Sequence, residues 1–128
     1  METKNKIESS IVNLDLLNEC FFGDTQLQIQ VISIFLKETP SKMNLLFEAV
    51  NHSDYKQIEE NAHFLKSSFG TLGVNLYKEL LEIENLAREK SELNKISQIL
   101  KKSDSLYHSS LSEYKRILCT LNQEQFIS

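Results

Sequence analysis

Apolar residues recur every three or four positions along almost the whole chain, and no segment shows the strict alternation of a β-strand. The clearest example is the run Met43, Leu46, Phe47 and Val50, which follows the i, i+3, i+4, i+7 spacing of one helix face. Glycine and proline, which interrupt helices, occur only three times and once in 128 residues. The pattern predicts an all-α protein.

Turn and capping residues divide this pattern into helices. Gly23 is a stop signal and Asp24 an N-cap, while Ser53 is the expected cap after the next turn. Thr39-Pro40 either begins a new helix or kinks one long helix, and the sequence leaves both alternatives open. The predicted elements are a helix over about 13–21, a second from Asp24 through the stripe at 43–50, a third to about Gly70, a fourth over about 73–90 and a last over about 92–121.

The turns between the long helices are short, which favours antiparallel neighbours. We therefore expect an up-down antiparallel four-helix bundle with a short additional N-terminal helix. One domain is predicted over residues 1–128, with its core at about 13–121 and short polar tails. The serine-rich segment at 103–112 is expected to bend or fray the last helix.

Charge and composition exclude several classes of function. The net charge is −4 without a basic block, so no nucleic-acid partner is expected. The start is polar and the most apolar run, VISIFL at 31–36, is too short to span a bilayer. We expect a cytoplasmic protein without a membrane partner, and a monomer, because no extra apolar face is evident.

No motif for a metal or a nucleotide is present. Cys20 and Cys119 lie far apart among apolar neighbours and are expected to be buried, reduced thiols rather than a disulfide or a metal pair. The sequence GTLG does not match a phosphate-binding loop. No cofactor of its own is therefore expected.

One stretch, AHFLKSSFGTLG at 62–73, combines residues with chemical potential. On a helical wheel, Ala62 and Leu65 lie with Ile58 and Phe69 on one face, whereas His63 lies about 140° from Ile58. His63 is therefore predicted to point away from the core, with Lys66 and Ser67 one turn on and Gly70 two turns on.

An imidazole in this setting can act as a nucleophile. An unperturbed imidazole titrates at about pH 6.5, so it is largely neutral at the pH of cells. A lysine one turn away would stabilise the negative charge of an accepted phosphoryl group, and small neighbours would let a partner approach. The simpler alternative is an ordinary surface histidine, which His52 and His108 are expected to be.

The stretch resembles the signature of the histidine phosphotransfer (HPt) family, A-H-x-L-K-G-S-S/A-x-x-L-G. Seven positions agree, namely Ala62, His63, Leu65, Lys66, Ser68, Leu72 and Gly73. The segments LDLLNECFFGDTQLQIQVISIFLKETP and LFEAVNHSDYKQIEENAH also resemble the family, so the likeness covers roughly 13–120. Two positions depart from the signature: Ser67 replaces a glycine, and Phe69, predicted in the core, replaces a small residue.

This resemblance implies a phosphoryl carrier of a multistep phosphorelay rather than an enzyme. His63 would accept a phosphoryl group from a receiver-domain aspartate of a hybrid histidine kinase and pass it to the receiver domain of a response regulator. Lys66 would stabilise the phosphate charge, and the partner receiver domain would supply Mg²⁺. The resemblance also implies a free-standing carrier or a domain expressed alone.

Further site residues follow from the resemblance. Ser67, Gly70 and Gly73 would form the small docking face and its turn, together with exposed residues of the fourth helix. A polar residue of that helix would orient the histidine ring; counting without gaps favours Asn85, and the neighbouring IE pattern favours Glu84.

Two other functions remain open at this level. The chain could be a helical adaptor that binds a signalling partner independently of phosphorylation. It could also be an enzyme with His63 as general base, although no nucleophile or second acid accompanies that residue.

Overall fold

The computed structural model describes residues 9–21 and 23–127, with side chains as far as residue 123. Most of the predicted N-terminal tail, at 1–8, and the last residue of the predicted C-terminal tail, at 128, lie outside the described residues. The helices are α1 (Asp15–Phe21), α2 (Thr25–Asn51), α3 (Tyr55–Thr71), α4 (Tyr77–Arg88) and α5 (Leu93–Ile127). Because no strand occurs among the described residues, the predicted all-α class is confirmed.

The N-caps show where the sequence pattern was sufficient and where it was not. The side chain of Asp24 accepts the backbone N–H of Leu27 at 3.0 Å, as predicted for the start of α2. At α3 the cap is Asp54, which accepts from the backbone N–H of Gln57 at 3.2 Å. The prediction of Ser53 is wrong because that residue adopts a left-handed φ of 57° within the preceding turn.

Composition suggested an interruption at two places, and the helix is continuous at both. Of the two alternatives left open at Thr39-Pro40, the structure selects one long helix, since α2 continues through Pro40. Helix α5 is unbroken through the serine-rich segment, so the expected fraying is wrong. Two serine hydroxyls donate to carbonyls of their own helix, Ser103 to Ile99 at 2.9 Å and Ser110 to Tyr107 at 2.7 Å, and therefore do not unwind it.

The four long helices surround one hydrophobic core. Helix α2 packs against α3 and α5, α4 packs against α3 and α5, and α1 rests on α2. Aromatic rings meet near the centre, where Phe35 lies edge-on to Phe69 and Tyr114 at centroid distances of 5.8 and 5.3 Å. The largest fully buried side chains are Tyr114, Phe69, Leu17, Ile32, Leu46, Ile58, Leu65, Leu80, Ile83, Ile96, Leu100 and Ile117.

Residues 9–14, which include the end of the predicted tail at 9–12, pack against the helices. Val12 and Leu14 are buried, and the backbone N–H of Asn13 donates to the carbonyl of Gly73 at 2.8 Å. Gly73 has a φ of +69°, and a Cβ there would lie 1.6 Å from the Asn13 oxygen. The fourth helix therefore begins at Tyr77 rather than near residue 73, because Gly73 lies in the turn that receives this segment.

Two remaining predictions concern the cysteines and the membrane. Cys20 and Cys119 are free thiols, but both are exposed, so the expected burial is wrong. An apolar sequence neighbourhood does not bury a side chain, because adjacent residues of a helix point in different directions. No helix in the described ranges combines the length and apolar character required to cross a bilayer.

Candidate functional site

Helix α3 presents His63 to solvent, as the helical wheel predicts. Ile58, Ala62 and Leu65 are fully buried on its inner face, and so is Phe69. The side chain of His63 is 63% exposed on the opposite side. The predicted orientation is confirmed because it depends only on the period of the helix and on which face is apolar.

A carboxylate from α4 approaches the inner nitrogen of this ring. The Nδ1 atom of His63 lies 2.9 Å from Oε2 of Glu84, whose side chain is only 5% exposed. An ionised carboxylate can only accept hydrogen bonds, so it favours a proton on Nδ1. In the neutral ring the lone pair is then on Nε2, for which the described part of the chain provides no hydrogen-bond partner.

The same carboxylate binds Lys66. The Nζ atom of Lys66 donates to Oε1 of Glu84 at 2.8 Å, and the lysine side chain is 14% exposed. Its ammonium also lies 5.7 Å from the ring centroid of Tyr77. Lys66 therefore lies one turn from His63, as predicted, but its charge is paired with Glu84 rather than standing free.

Arg88 is a further member of the site that sequence reasoning missed. Its Nη2 donates to Oε2 of Glu84 at 3.1 Å, and its Nε donates to Oε2 of Glu59 at 2.8 Å. The i,i+4 spacing of Glu84 and Arg88 was a signal that could have indicated the first of these pairs. Arg88 links α4 to α3 one turn before His63.

The prediction that Asn85 orients the ring is wrong. Asn85 is exposed, and its Oδ1 accepts from Nη1 of Arg88 at 3.3 Å. Adjacent residues on a helix point about 100° apart, so only one of the two can face α3. Glu84, the alternative favoured by the IE pattern, takes that position.

The charged residues around His63 form a set with no net charge. Lys66 and Arg88 are positive, Glu84 and Glu59 are negative. Burial raises the pKa of the Glu84 carboxyl, but hydrogen bonds from Lys66 and His63 together outweigh it and lower the pKa below its usual value. Glu84 is therefore ionised at neutral pH.

The predicted small docking face is only partly assembled. Ser67 and Gly70 are both exposed on α3, on the same side as His63. Gly73 does not join them, since its role is the close contact with Asn13. Beside Ser67, a groove of about 280 Å³ lies between α3 and α2. Ile34 of α2 lines this groove and is 55% exposed.

The other two histidines and one further depression of the surface lack a comparable arrangement of side chains. His52 and His108 are exposed, as expected; their rings contact the Glu48 carbonyl at 2.8 Å and Asp104 at 3.3 Å. A depression of about 880 Å³ lies between residues 9–18 and α5, far in sequence from the signature stretch. Among the described residues, no three histidine, cysteine or acidic side chains are grouped to hold a metal ion.

Comparison with known proteins identifies one relationship. A family model described as Hpt domain matches residues 30–109, more than half of the chain. The matched range includes His63, Lys66, Glu84 and Arg88. No curated protein and no solved structure matches the chain.

Proposed function

Because the chain belongs to the Hpt domain family, we propose that it transfers phosphoryl groups in a multistep phosphorelay through His63. Hpt domains are phosphoryl carriers that interact with receiver domains. The observation that supports His63 most directly is its contact with Glu84, which engages Nδ1 while the ring remains 63% exposed. Glu84 therefore orients the ring through Nδ1, while the exposed side of the ring stays accessible to a partner.

The proposed step is a displacement at phosphorus. The Nε2 lone pair of His63 attacks the phosphorus of an aspartyl phosphate on the donor receiver domain. The N–P bond forms, the P–O bond to the aspartate breaks, and the aspartate leaves as a carboxylate. The reverse displacement by a second receiver's aspartate returns the electron pair to Nε2.

The positive charges beside the ring would stabilise the phosphorylated state. A phosphoryl group adds roughly −1.5 to −2 charges at neutral pH. Lys66, which Glu84 already holds close to His63, is the cation that we assign to this charge, with Arg88 beside it. The chain contributes no cofactor in this proposal, and Mg²⁺ would come from the receiver domain.

The docking surface would be the His63 face of α3. Ser67 and Gly70 leave room around the ring, and the groove beside Ile34 adds apolar contact area. The partners would be the receiver domains of a hybrid histidine kinase and of a response regulator. We further propose a cytoplasmic monomer, a single domain over residues 1–128, and an up-down antiparallel order of α2 to α5.

The acceptor is tested by incubating the protein with phosphoramidate, a small-molecule donor to histidine, and recording its intact mass. We expect one added phosphoryl group that is labile in acid and absent from His63→Gln. His108→Gln is the matched control, since it removes an exposed histidine elsewhere. An adduct that persists in folded His63→Gln would contradict the proposal.

The groove beside Ile34 also supports the second candidate, a phosphorylation-independent adaptor. That function predicts no adduct on the wild-type protein, together with partner binding that His63→Gln leaves unchanged. The two candidates are therefore separated by the same pair of proteins.

A further inference from the structure

Orienting the His63 ring does not by itself require a charged residue at position 84. An amide oxygen would also accept a hydrogen bond from Nδ1 of His63 and leave Nε2 free. Instead the position holds a carboxylate that is 5% exposed, and ionising a buried carboxyl is unfavourable unless charged partners compensate for it. Three donors do so here, from His63, Lys66 and Arg88. This charge has a chemical consequence once the ring is phosphorylated.

That consequence concerns the leaving group. When phosphorus bonds to Nε2 of a neutral ring that has a proton on Nδ1, the ring becomes an imidazolium. If the Nδ1 proton stays, transfer to an acceptor oxygen returns the N–P electron pair to Nε2 and releases neutral imidazole. If the proton is lost to solvent first, the same transfer must expel an imidazolide anion, a far stronger base and a poorer leaving group.

We propose that the Glu84 carboxylate keeps the phosphorylated His63 ring protonated at Nδ1 and thereby makes the phosphoryl group rapidly transferable. The proposal rests on the proposed function of His63 and assigns Glu84 a role as a positioning and charge-stabilising residue. The anion lies 2.9 Å from Nδ1, so it stabilises the imidazolium form over the neutral ring.

The other charged groups around the carboxylate are compatible with this role. From α3, Lys66 binds the second carboxylate oxygen, and Glu59 binds Arg88 on its far side. From α4, Arg88 shares Oε2 with the ring. On the neighbouring helices, Lys42 of α2 lies over the Phe64 ring at 4.8 Å, and Lys95 of α5 pairs with Glu82 at 3.9 Å. Neither of these two lysines is in contact with Glu84.

The lowered pKa of Glu84 agrees with the same picture. Burial alone would raise it, yet the hydrogen bonds from Lys66 and His63 keep the carboxyl ionised. The anion is thus present over the whole pH range in which a phosphorylated imidazole ring would gain or lose its proton.

The test compares the loss of phosphoryl groups to water as a function of pH. Wild type, Glu84→Gln and Glu82→Gln are loaded with phosphoramidate, freed of donor, and followed by intact mass between pH 5 and pH 10. Water then supplies the oxygen that bonds to phosphorus and gives its proton to solvent. Glu82→Gln is the matched control because it removes an exposed carboxylate from the same helix.

We expect the rate of loss to fall with rising pH as the ring deprotonates. In Glu84→Gln this fall should come about one to two pH units lower than in wild type, as one charge-assisted hydrogen bond implies. The variant should then hold its phosphoryl group roughly tenfold longer or more at pH 8, and the two proteins should converge near pH 5. Glu82→Gln should follow the wild-type profile.

Other outcomes are distinguishable. Superimposed profiles, or a uniform change at every pH, would overturn the role of the charge and leave only orientation. A Glu84→Gln protein that keeps its circular dichroism spectrum yet never loads, even in incubations ten times longer, would also overturn it. No adduct on wild type, or one that persists in His63→Gln, would instead reject the proposed function itself.

Discussion

At the scale of single residues, the Lys66 ammonium is placed to interact with two negatively charged groups. In the resting protein its ammonium binds Oε1 of the buried Glu84 carboxylate at 2.8 Å. In the phosphorylated protein it would also attract the phosphoryl oxygens beside it. The lysine would therefore serve both the stability of the fold and the proposed chemistry of His63.

This double role leads to a prediction for Lys66→Ala. The variant should still accept a phosphoryl group from phosphoramidate, but roughly tenfold more slowly, because one partly screened cation is lost. Its free energy of unfolding should fall by about 1 kcal/mol, since Glu84 keeps two of its three donors. Intact-mass time courses and urea unfolding measure the two effects.

Lys78→Ala is the control, because it removes an exposed lysine from α4. Equal loading rates for Lys66→Ala and Lys78→Ala would show that Lys66 is structural only. A Lys66→Ala protein that takes up no phosphoryl group at all would make the lysine indispensable rather than supportive.

The residues around His63 also show how far sequence reasoning extends. The outward direction of the histidine follows from the helical period of α3 alone. The identity of its α4 neighbour does not, because it depends on the register between two helices, and a one-residue difference separates Glu84 from Asn85. The contact of Arg88 with Glu59 was missed for the same reason, since Glu59 lies on another helix.

At the scale of secondary-structure elements, the turn between α3 and α4 is the most constrained connection. Gly73 has a φ of +69°, and its carbonyl accepts the backbone N–H of Asn13. The buried hydroxyl of Tyr114 donates to the carbonyl of the neighbouring Leu72. The turn is thereby tied to both the N-terminal segment and α5.

Two glycine substitutions should therefore behave in opposite ways. Gly73→Ala should lower the free energy of unfolding by at least about 2 kcal/mol, because its Cβ combines a left-handed φ with a clash against Asn13. Gly70→Ala should be neutral or stabilising by up to about 1 kcal/mol, since that glycine is helical and its Cβ would meet only Tyr77 at 3.7 Å. Urea unfolding of both variants measures the difference.

The Gly70→Ala variant also tests the docking face. Gly70 is exposed on that face, whereas Gly73 lies apart from it in the turn against Asn13. If a receiver domain docks there, Gly70→Ala should slow transfer from a phosphorylated receiver while loading from phosphoramidate stays unchanged. Equal transfer rates for Gly70→Ala and wild type would remove Gly70 from the docking face.

At the scale of the whole molecule, two buried carboxylates join distant parts of the chain. Glu84 connects α4 to α3, and Glu113 on α5 binds Arg116 and, through the hydroxyl of Ser9, the N-terminal segment. The hydrogen bond from Arg116 lowers the pKa of Glu113; burial opposes this shift and the bond from Ser9 adds to it. Both carboxyls therefore have lowered pKa values in the folded state.

Stability should consequently depend on pH in the acid range. A lowered folded-state pKa contributes stability that is complete above the unfolded carboxyl's pKa, about 4.3, and is lost as the pH falls through the folded value. We expect the double variant Glu84→Gln/Glu113→Gln to lose less stability than wild type between pH 7 and pH 3. Urea midpoints at both pH values test this.

The control for the charge itself is Glu82→Gln, which removes an exposed carboxylate. A double variant whose midpoint falls between the two pH values as far as that of wild type would show that neither carboxylate accounts for the acid sensitivity.

Some features of this protein follow from its sequence by itself. The all-α class, the cap at Asp24, the buried face of α3 and the outward direction of His63 all depend on local periodicity and local capping. The HPt signature at 62–73 also lies within one short stretch, and it identified the family that the match to residues 30–109 confirms. Such features require no knowledge of how distant segments meet.

The tertiary structure alone decided the rest. It selected Glu84 over Asn85, linked Arg88 to Glu59, paired Lys66 with Glu84, and placed the 9–14 segment against Gly73. Each of these depends on the register and distance between segments that are separated in sequence. The helical period specifies which way a side chain points, but only packing specifies what it meets.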